Sequence, residues 1–483
     1  MFDVPLFEFL LFIPVFRGLL WLNWLMNVTN LNPDMEIGAS AWLVEMDGHR
    51  ILLDSGMHPK REGHDTLPRF SKAGSHELDA IAISHCHHDH IGGLPLAMRH
   101  FPKAHVMMTE LSYLLSERVL HNSVNVMTHQ RAELGIKEYP LYTHDELDEI
   151  APRFQGFKYN RPVEWAAFNK LRSGLPSPTL EFLDAGHTLG AAGVYLRGKK
   201  ESLFYTGDVC FHDQTLLKAA AFDNVKADVL ITETTRGSHE TPAGFTREKE
   251  QARLVAAIQA GLKKKGCVMI PSFALGRTQE ILAMLALLMQ EGKLKKQPVY
   301  IGGLGRVFTE IYDIEAHHTR RQHMNLKLNE ALQLIVLEKG ASENMKLTGG
   351  KIFVITAGMM SEQTAAHDLA KRMIGDERQT ILFVGYATPE SPAGRLRAAR
   401  QGETFVFSPS AGSVTKKCEV QEFDLTAHAN RNDLLEFVGR VSPRVVLLGH
   451  GNDVARNWFE TQIHARWPKI KVFQPQPAKL ITV

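Results

Sequence analysis

Residues 84–93 read SHCHHDHIGG, which places four imidazoles, a carboxylate and a thiol within ten positions. Nitrogen donors this dense are a poor way to build an apolar core and a good way to hold a metal. In an extended chain alternate side chains share a face, so His85 and His87 project together while Cys86 points away. Asp89 and His90 follow in a turn that Gly92 and Gly93 permit, offering a carboxylate and a third imidazole to a second cation beside the first. Nitrogen and oxygen donors without thiolate suit a catalytic zinc or manganese better than a structural zinc. Direction excludes Cys86 and His88 as ligands.

One loop cannot complete two coordination shells. His187 in DAGHTLGAAG, Asp208 in LFYTGDVC and His450 in VVLLGHGN each follow a strand-like run and have glycine neighbours. A lone histidine after a strand is more often a hydrogen-bonded core or surface residue than a ligand. In one chain with HxHxDH, and in this order, the ligand reading is the better one. Asp54 in RILLDSG sits at the same kind of strand end, and is read among the catalytic groups as the carboxylate that holds a ligand imidazole in the correct tautomer.

These residues need strands to carry them. Short apolar runs such as AWLVEM, RILL, DAIAIS, HVMMT, LFYT and DVLIT alternate with turn signals, a pattern that suits sheets stacked face to face. From Thr246, a predicted N-cap, TREKEQARLVAAIQAGLKKKG carries Leu254, Val255, Ile258 and Leu262 on one helical stripe, and Gly266 is the predicted stop. CVMIP, PVYIG, KIFVIT and TILFVG then alternate with helical segments, which predicts a parallel βαβ domain. The expected division is an apolar N-terminal extension at 1–25, a first domain at 26–235, an inserted domain at 236–402, and the rest of the first domain at 403–483.

The composition is that of a globular protein of more than one domain: 483 residues, 44% hydrophobic and 22% charged. A net charge of +2 neither announces nor excludes a polyanionic partner, so a nucleic-acid surface would have to be a local cleft. Cys86, Cys210, Cys267 and Cys418 are widely separated, form no CxxC pair and point to a reducing, cytoplasmic compartment. The apolar start is interrupted by Asp3, Glu8, Arg17, Pro5 and Pro14 and lacks a basic leader, so no membrane association is inferred from it.

SHCHHDHIGGLP resembles the signature of the metallo-β-lactamase superfamily. IPSFALGRTQE, TAGMM and FVGYATPESPAGRL resemble the β-CASP insertion of its nucleic-acid-processing members, such as the cleavage and polyadenylation endonuclease and the ribonuclease J group. The resemblance runs from about Met26 to the end. It implies an α/β fold, with an αββα sandwich built from the first and last segments and a parallel βαβ domain capping its metal site. It also implies two divalent ions, zinc or else manganese: one held by His85, His87 and His187, the other by Asp89, His90 and His450, with Asp208 bridging. Glu233 in LITETTRG and His428 in LTAHAN match the family's acidic and histidine motifs, and His450 matches a position where histidine accompanies RNA substrates and valine accompanies DNA. Two departures stand out. TAHAN has threonine, Thr426, where many relatives have serine, and GMMSEQ replaces a usual glycine-rich turn.

The expected function is hydrolysis of RNA phosphodiester bonds, internally or from the 5′ end, with His428, oriented by Glu233, protonating the leaving oxygen. Arg277 and Thr426 are the expected substrate contacts, Arg277 because a basic group between the domains would track phosphates. Single-stranded RNA is the expected partner, and a homodimer is compatible with the sequence. Three rivals are weighed: a DNA nuclease, opposed by His450; a small-molecule thioesterase or lactamase, opposed by the size of the cap; and a non-catalytic subunit, opposed by the full donor set.

Overall fold

Most of the runs rich in Val, Ile, Leu and Phe become strands whose side chains are buried on both faces of the sheet. The computed structural model describes residues 26–74, 77–165, 177–337, 340–356, 358–362, 364–407 and 412–483. The apolar stretch 1–25 lies outside the described residues. No helix among the described residues is long and apolar enough to cross a membrane.

The first sheet contains β1 (Asn27–Asn30), β2 (Trp42–Met46), β3 (His49–Leu53), β4 (Ala80–Ala82), β5 (His105–Thr109) and β6 (Phe154–Phe157) in that order, with the last strand of the chain, Leu480–Thr482, on the free edge of β1. The second contains β7 (Val163–Glu164), β8 (Thr179–Asp184), β9 (Ala192–Arg197), β10 (Ser202–Tyr205) and β11 (Val229–Glu233), and two late strands, Val445–Gly449 and Lys471–Phe473, continue it in parallel beyond β11. Val44, Ile51 and Leu53 of one sheet share a buried cluster with Phe182, Leu203, Ile231 and Leu447 of the other. Each such side chain contributes about 1.5–3 kcal/mol by leaving water, which holds the sheets face to face. Helices Leu94–His100, Glu110–Leu134 and His144–Ile150 cover the outside of the first sheet, and Arg431–Val441 and Asp453–Arg466 the outside of the second. The result is the expected αββα sandwich, with the chain's last segment completing both sheets.

Between β11 and Val445 the chain builds a third sheet from β12 (Val268–Ser272), β13 (Val299–Gly302), β14 (Leu334–Leu337), β15 (Ile352–Thr356) and β16 (Thr380–Phe383), all parallel, in the order β14-β13-β15-β12-β16. Thr246 caps its first helix, Arg247–Lys263, by accepting the Lys249 amide at 3.3 Å. That helix stops three residues before Gly266, and Lys265 takes the left-handed turn (φ 58°) instead. Leu254 and Ile258 are buried as the stripe predicts, while Val255 and Leu262 are only partly covered. A hairpin of β17 (Thr404–Val406) and β18 (Ser413–Thr415) follows, and β19 (Glu419–Glu422) then pairs in parallel with β16. The third sheet therefore takes in chain as far as Glu422.

The cap is not loosely attached. Leu111 and Leu115 of the sandwich, Leu189, Leu216 and Leu217 of its loops, and Leu282, Leu285 and Phe308 of the insertion belong to one continuous apolar cluster.

Candidate metal centre

The histidine-rich loop leaves β4 at its carboxyl end, and the other donors leave neighbouring strands at the same edge. Asp54 follows β3 directly, His187 follows β8, Asp208 follows β10, Glu233 ends β11, and His450 follows Val445–Gly449, here β20. Carboxyl-terminal strand edges gather loops from elements far apart in sequence, which is why α/β proteins place ligands there. Asp54 (φ 62°) and His450 (φ 49°) adopt left-handed backbone that side-chain-bearing residues rarely hold, a local strain typical of functional positions.

His85, His87, His187 and Asp208 offer donor atoms within 4.8 Å of one another, as do Asp89, His90 and His450. Asp208 reaches both groups. Its Oδ2 lies 3.7 Å from His85 Nε2 and 3.7 Å from His187 Nε2, and its Oδ1 lies 3.4 Å from His90 Nε2 and 3.3 Å from His450 Nδ1. His87 Nδ1 and His187 Nε2 are 3.1 Å apart, and His450 Nε2 is 3.2 Å from Asp89 Oδ2. Asp208 is only 3% exposed. Among the described residues, Asp208 Oδ1 and His85 Nε2 are buried without a hydrogen-bond partner. Buried polar atoms left unpaired are costly, and a cation at each group would satisfy them, so the residues fit divalent metal.

The electrostatics agree. Burial, reinforced by neighbouring imidazoles, holds His85 and His187 well below the ordinary value, leaving the neutral form that binds metal. Burial lowers His90 too, but the carboxylates of Asp208, Asp89 and Asp54 outweigh it and make this the place where positive charge is favoured. Burial resists ionisation of Asp208, yet His450, His90 and His428 hold its carboxyl well below the usual range.

A surrounding layer fixes the tautomers. His187 Nδ1 donates to the Ala427 carbonyl at 2.8 Å and His90 Nδ1 to Asp54 Oδ2 at 2.7 Å, so Nε2 is the nitrogen of each that is left to face the centre. Asp54 also accepts from the Ser84 amide (2.6 Å), the Ser84 hydroxyl (2.7 Å) and the Tyr205 hydroxyl (2.6 Å). Its acceptors are spent on these groups, the arrangement expected of a carboxylate that orients a ligand imidazole. Cys86 and His88 turn away, to the Ser112 carbonyl and the Ser123 hydroxyl. Ser84, Tyr205 and Thr235, whose hydroxyl is 3.0 Å from His450 Nδ1, escape sequence reading because a hydroxyl at a strand end has no distinguishing pattern.

The loop bearing Asp89 and His90 is laced to residues 55–57. Ser55 donates to the His90 carbonyl and Met57 to the His88 carbonyl, at 2.9 and 3.0 Å. A Cβ at Gly56 would lie 1.8 Å from the Asp89 carbonyl oxygen, so only glycine fits. Gly56→Ala is expected to cost about 1–3 kcal/mol of stability and to displace Asp89. Thermal unfolding together with metal analysis checks this, through a lowered midpoint and reduced metal stoichiometry.

His428, with its side chain 21% exposed, stands beside the centre, its ring 4.6 Å from that of His187. Its Nδ1 lies 3.0 Å from Glu233 Oε2, and its Nε2 lies 3.9 Å from Asp208 Oδ2. Burial pulls its pKa down, but the charges of Glu233 and Asp208 outweigh burial and hold it above the ordinary value. Glu233 also accepts the Val209 amide at 2.7 Å.

The two expected substrate contacts, Arg277 and Thr426, both make internal hydrogen bonds. The Arg277 guanidinium, in a residue 8% exposed, donates to the Leu425 carbonyl and to Gln214 Oε1. A buried fork with internal acceptors is not presented to a phosphate. Thr426 Oγ1 accepts the His428 amide at 3.1 Å, closing a tight turn.

Three family models match the chain: the metallo-beta-lactamase superfamily over residues 35–263, the Beta-Casp domain over 278–396, and the Zn-dependent metallo-hydrolase RNA specificity domain over 413–475. "Endoribonuclease ysh1" of Aspergillus fumigatus is 29% identical over 91% of this chain and 53% of its own length. The protein of the same name from Schizosaccharomyces pombe is 25% identical over 94% and 58%. The chain thus spans little more than half the length of these fungal relatives. "Probable RNase MJ4" of Methanocaldococcus jannaschii is 27% identical over 90% of this chain and 96% of its own. A crystal structure of a protein of unknown function from Enterococcus faecalis shares the fold, with a TM-score of 0.55 at 14% identity over 95% of this chain and 100% of that one.

Proposed function

The chain belongs to the metallo-β-lactamase superfamily, in the branch that carries a Beta-Casp domain, and we propose that it is a metal-dependent ribonuclease cutting RNA phosphodiester bonds between its sandwich and its inserted domain. One observation carries the reading: two groups of donors share the buried carboxylate of Asp208, and an imidazole that is not needed as a ligand, His428, stands against them with its other nitrogen on Glu233.

In this proposal His85, His87 and His187 hold one ion, Asp89, His90 and His450 hold the other, and Asp208 serves both. Divalent cations held there, zinc or else manganese, would supply Lewis acidity, bringing the pKa of water towards neutrality and offsetting charge on phosphoryl oxygens. Glu233 accepts a hydrogen bond from Nδ1–H of His428, which directs Nε2 at the centre. As the oxygen of a water that has given up one proton to solvent bonds to phosphorus and the bond to the leaving oxygen breaks, the Nε2 proton passes to that oxygen, so a poor alkoxide leaves as an alcohol and the imidazole regains its proton from solvent. Asp54, Ser84 and Thr235 keep the donors aligned.

RNA is preferred over DNA in this reading because the RNA specificity model spans His450 and because the relatives are named as ribonucleases. The name endoribonuclease favours internal cleavage. All four cysteines are buried and free, the state a reducing compartment maintains, and a cytoplasmic location belongs to the proposal.

The test uses metal-loaded protein with RNA and DNA of matched sequence, labelled at the end or internally. Discrete RNA fragments are expected, with DNA intact, cleavage abolished by chelation, and activity restored by zinc or manganese. If both polymers stay intact, the ribonuclease reading is wrong.

A further inference from the structure

We infer that Arg277, with Arg247 beside it, is a positioning residue that ties the seating of the inserted domain to the alignment of His428; this rests on the ribonuclease reading above. The three backbone carbonyls before His428 are all held. Leu425 accepts from Arg277, Thr426 accepts from Arg247 Nη1 at 3.1 Å, and Ala427 accepts from His187 Nδ1 at 2.8 Å. His428 itself closes onto Thr426 Oγ1, and Ala429 donates to the Val209 carbonyl at 2.6 Å. The loop has no slack, so the place of the His428 ring follows from these donors.

Two of the three come from the insertion. Arg247 opens the helix Arg247–Lys263 and Arg277 opens the helix Arg277–Gln290. Glu280, one turn along the second helix, accepts from Arg247 Nη2 at 2.7 Å and from the amides of Thr215 and Leu216 at 2.7 and 3.0 Å. Burial raises its pKa, but the two arginines outweigh burial and hold it at about 2, so it stays ionised. Arg277 also donates to Gln214, whose amide reaches the carbonyls of Gly186 at 2.6 Å and His187 at 3.0 Å. One guanidinium therefore braces both the loop of a proposed ligand and the loop of the proposed acid.

A planar fork can serve two acceptors in fixed directions, and an ammonium cannot. If the insertion tilts away from the sandwich, the Leu425 carbonyl loses Arg277 and the Thr426 carbonyl loses Arg247, keeping only His212 Nε2 at 3.3 Å. The acid is then in register only when the cap is seated.

The discriminating substrate is bis(p-nitrophenyl) phosphate, whose p-nitrophenolate departs without a proton, whereas the ribose alkoxide of RNA needs one. Arg277→Lys should keep its metal by elemental analysis and lose about 10–100-fold in kcat on RNA, within the range for an impaired general acid. The loss on the activated diester should be at least about tenfold smaller. In a His428→Ala background, Arg277→Lys should add less than about a twofold loss, because the two act as one unit. Arg247→Lys, which reaches Thr426 from a separate helix, should repeat the selective loss and keeps the test available if Arg277→Lys does not fold. Equal losses on both substrates, full additivity with His428→Ala, or a wild-type rate on RNA would each overturn the coupling while leaving the ribonuclease reading intact. A metal-loaded wild type that hydrolyses neither substrate would bring down both.

Discussion

His428→Ala binds its full complement of metal and cleaves RNA about 10² to 10⁴ times more slowly than wild type: this is the expected result, because a positioned general acid is worth that much and the residue lies outside the two donor groups. The geometry separates it from the ligands. Nδ1 is committed to Glu233 at 3.0 Å, and Nε2 remains the nitrogen that can give up a proton near the centre. Removing the ring leaves His85, His87, His187 and Asp208 as they were, so elemental analysis should not change while single-turnover cleavage does. Glu233→Gln should lose less, because an amide can still accept from Nδ1 but no longer stabilises the imidazolium. RNA cleavage by His428→Ala at the wild-type rate would rule out the acid role.

Asp208→Asn should be more severe and different in kind. Its carboxylate is buried within 3.3–3.9 Å of nitrogens on His85, His90, His187, His428 and His450. Asparagine keeps the shape but removes the negative charge that favours cations at both groups, and it points an amide hydrogen at imidazole nitrogens or metal. Metal content should fall to at most one ion per chain, and RNA cleavage should fall by more than the ~10⁴ upper range for loss of an acid, since Lewis-acid acceleration goes as well. Unlike His428→Ala, the variant should be equally impaired on an activated phosphodiester. Retention of two ions with near-normal cleavage would mean that Asp208 serves neither group.

The donors were legible because their signal is local. An HxHxDH run at a strand end constrains its own geometry, and a glycine-flanked histidine or aspartate after an apolar run marks a strand's carboxyl edge wherever it occurs. The cap at Thr246 and the strands around it follow from neighbours a few residues away. The partners of Arg277 are not legible, for the opposite reason. Its acceptors, Leu425 and Gln214, lie 148 and 63 residues distant, and nothing in ALGRTQE says whether a helix-opening arginine faces a cleft or an interior. Asp54 shows the intermediate case: its position at a strand end was readable, but the four hydrogen bonds that its carboxylate accepts come from Ser84, His90 and Tyr205.

What the amino-acid order determined alone is therefore the inventory: which side chains can bind metal, which strands deliver them, and which family the motifs resemble. The tertiary structure decided the assignments. It decided that one carboxylate stands between two donor groups, that β19 extends the inserted sheet to Glu422, and that two arginines of the insertion hold the backbone just before His428. Backbone periodicity and capping act over a few residues and are written in the order of the chain. Which buried donor meets which carbonyl depends on how separate sheets and helices pack, and only the assembled fold sets that.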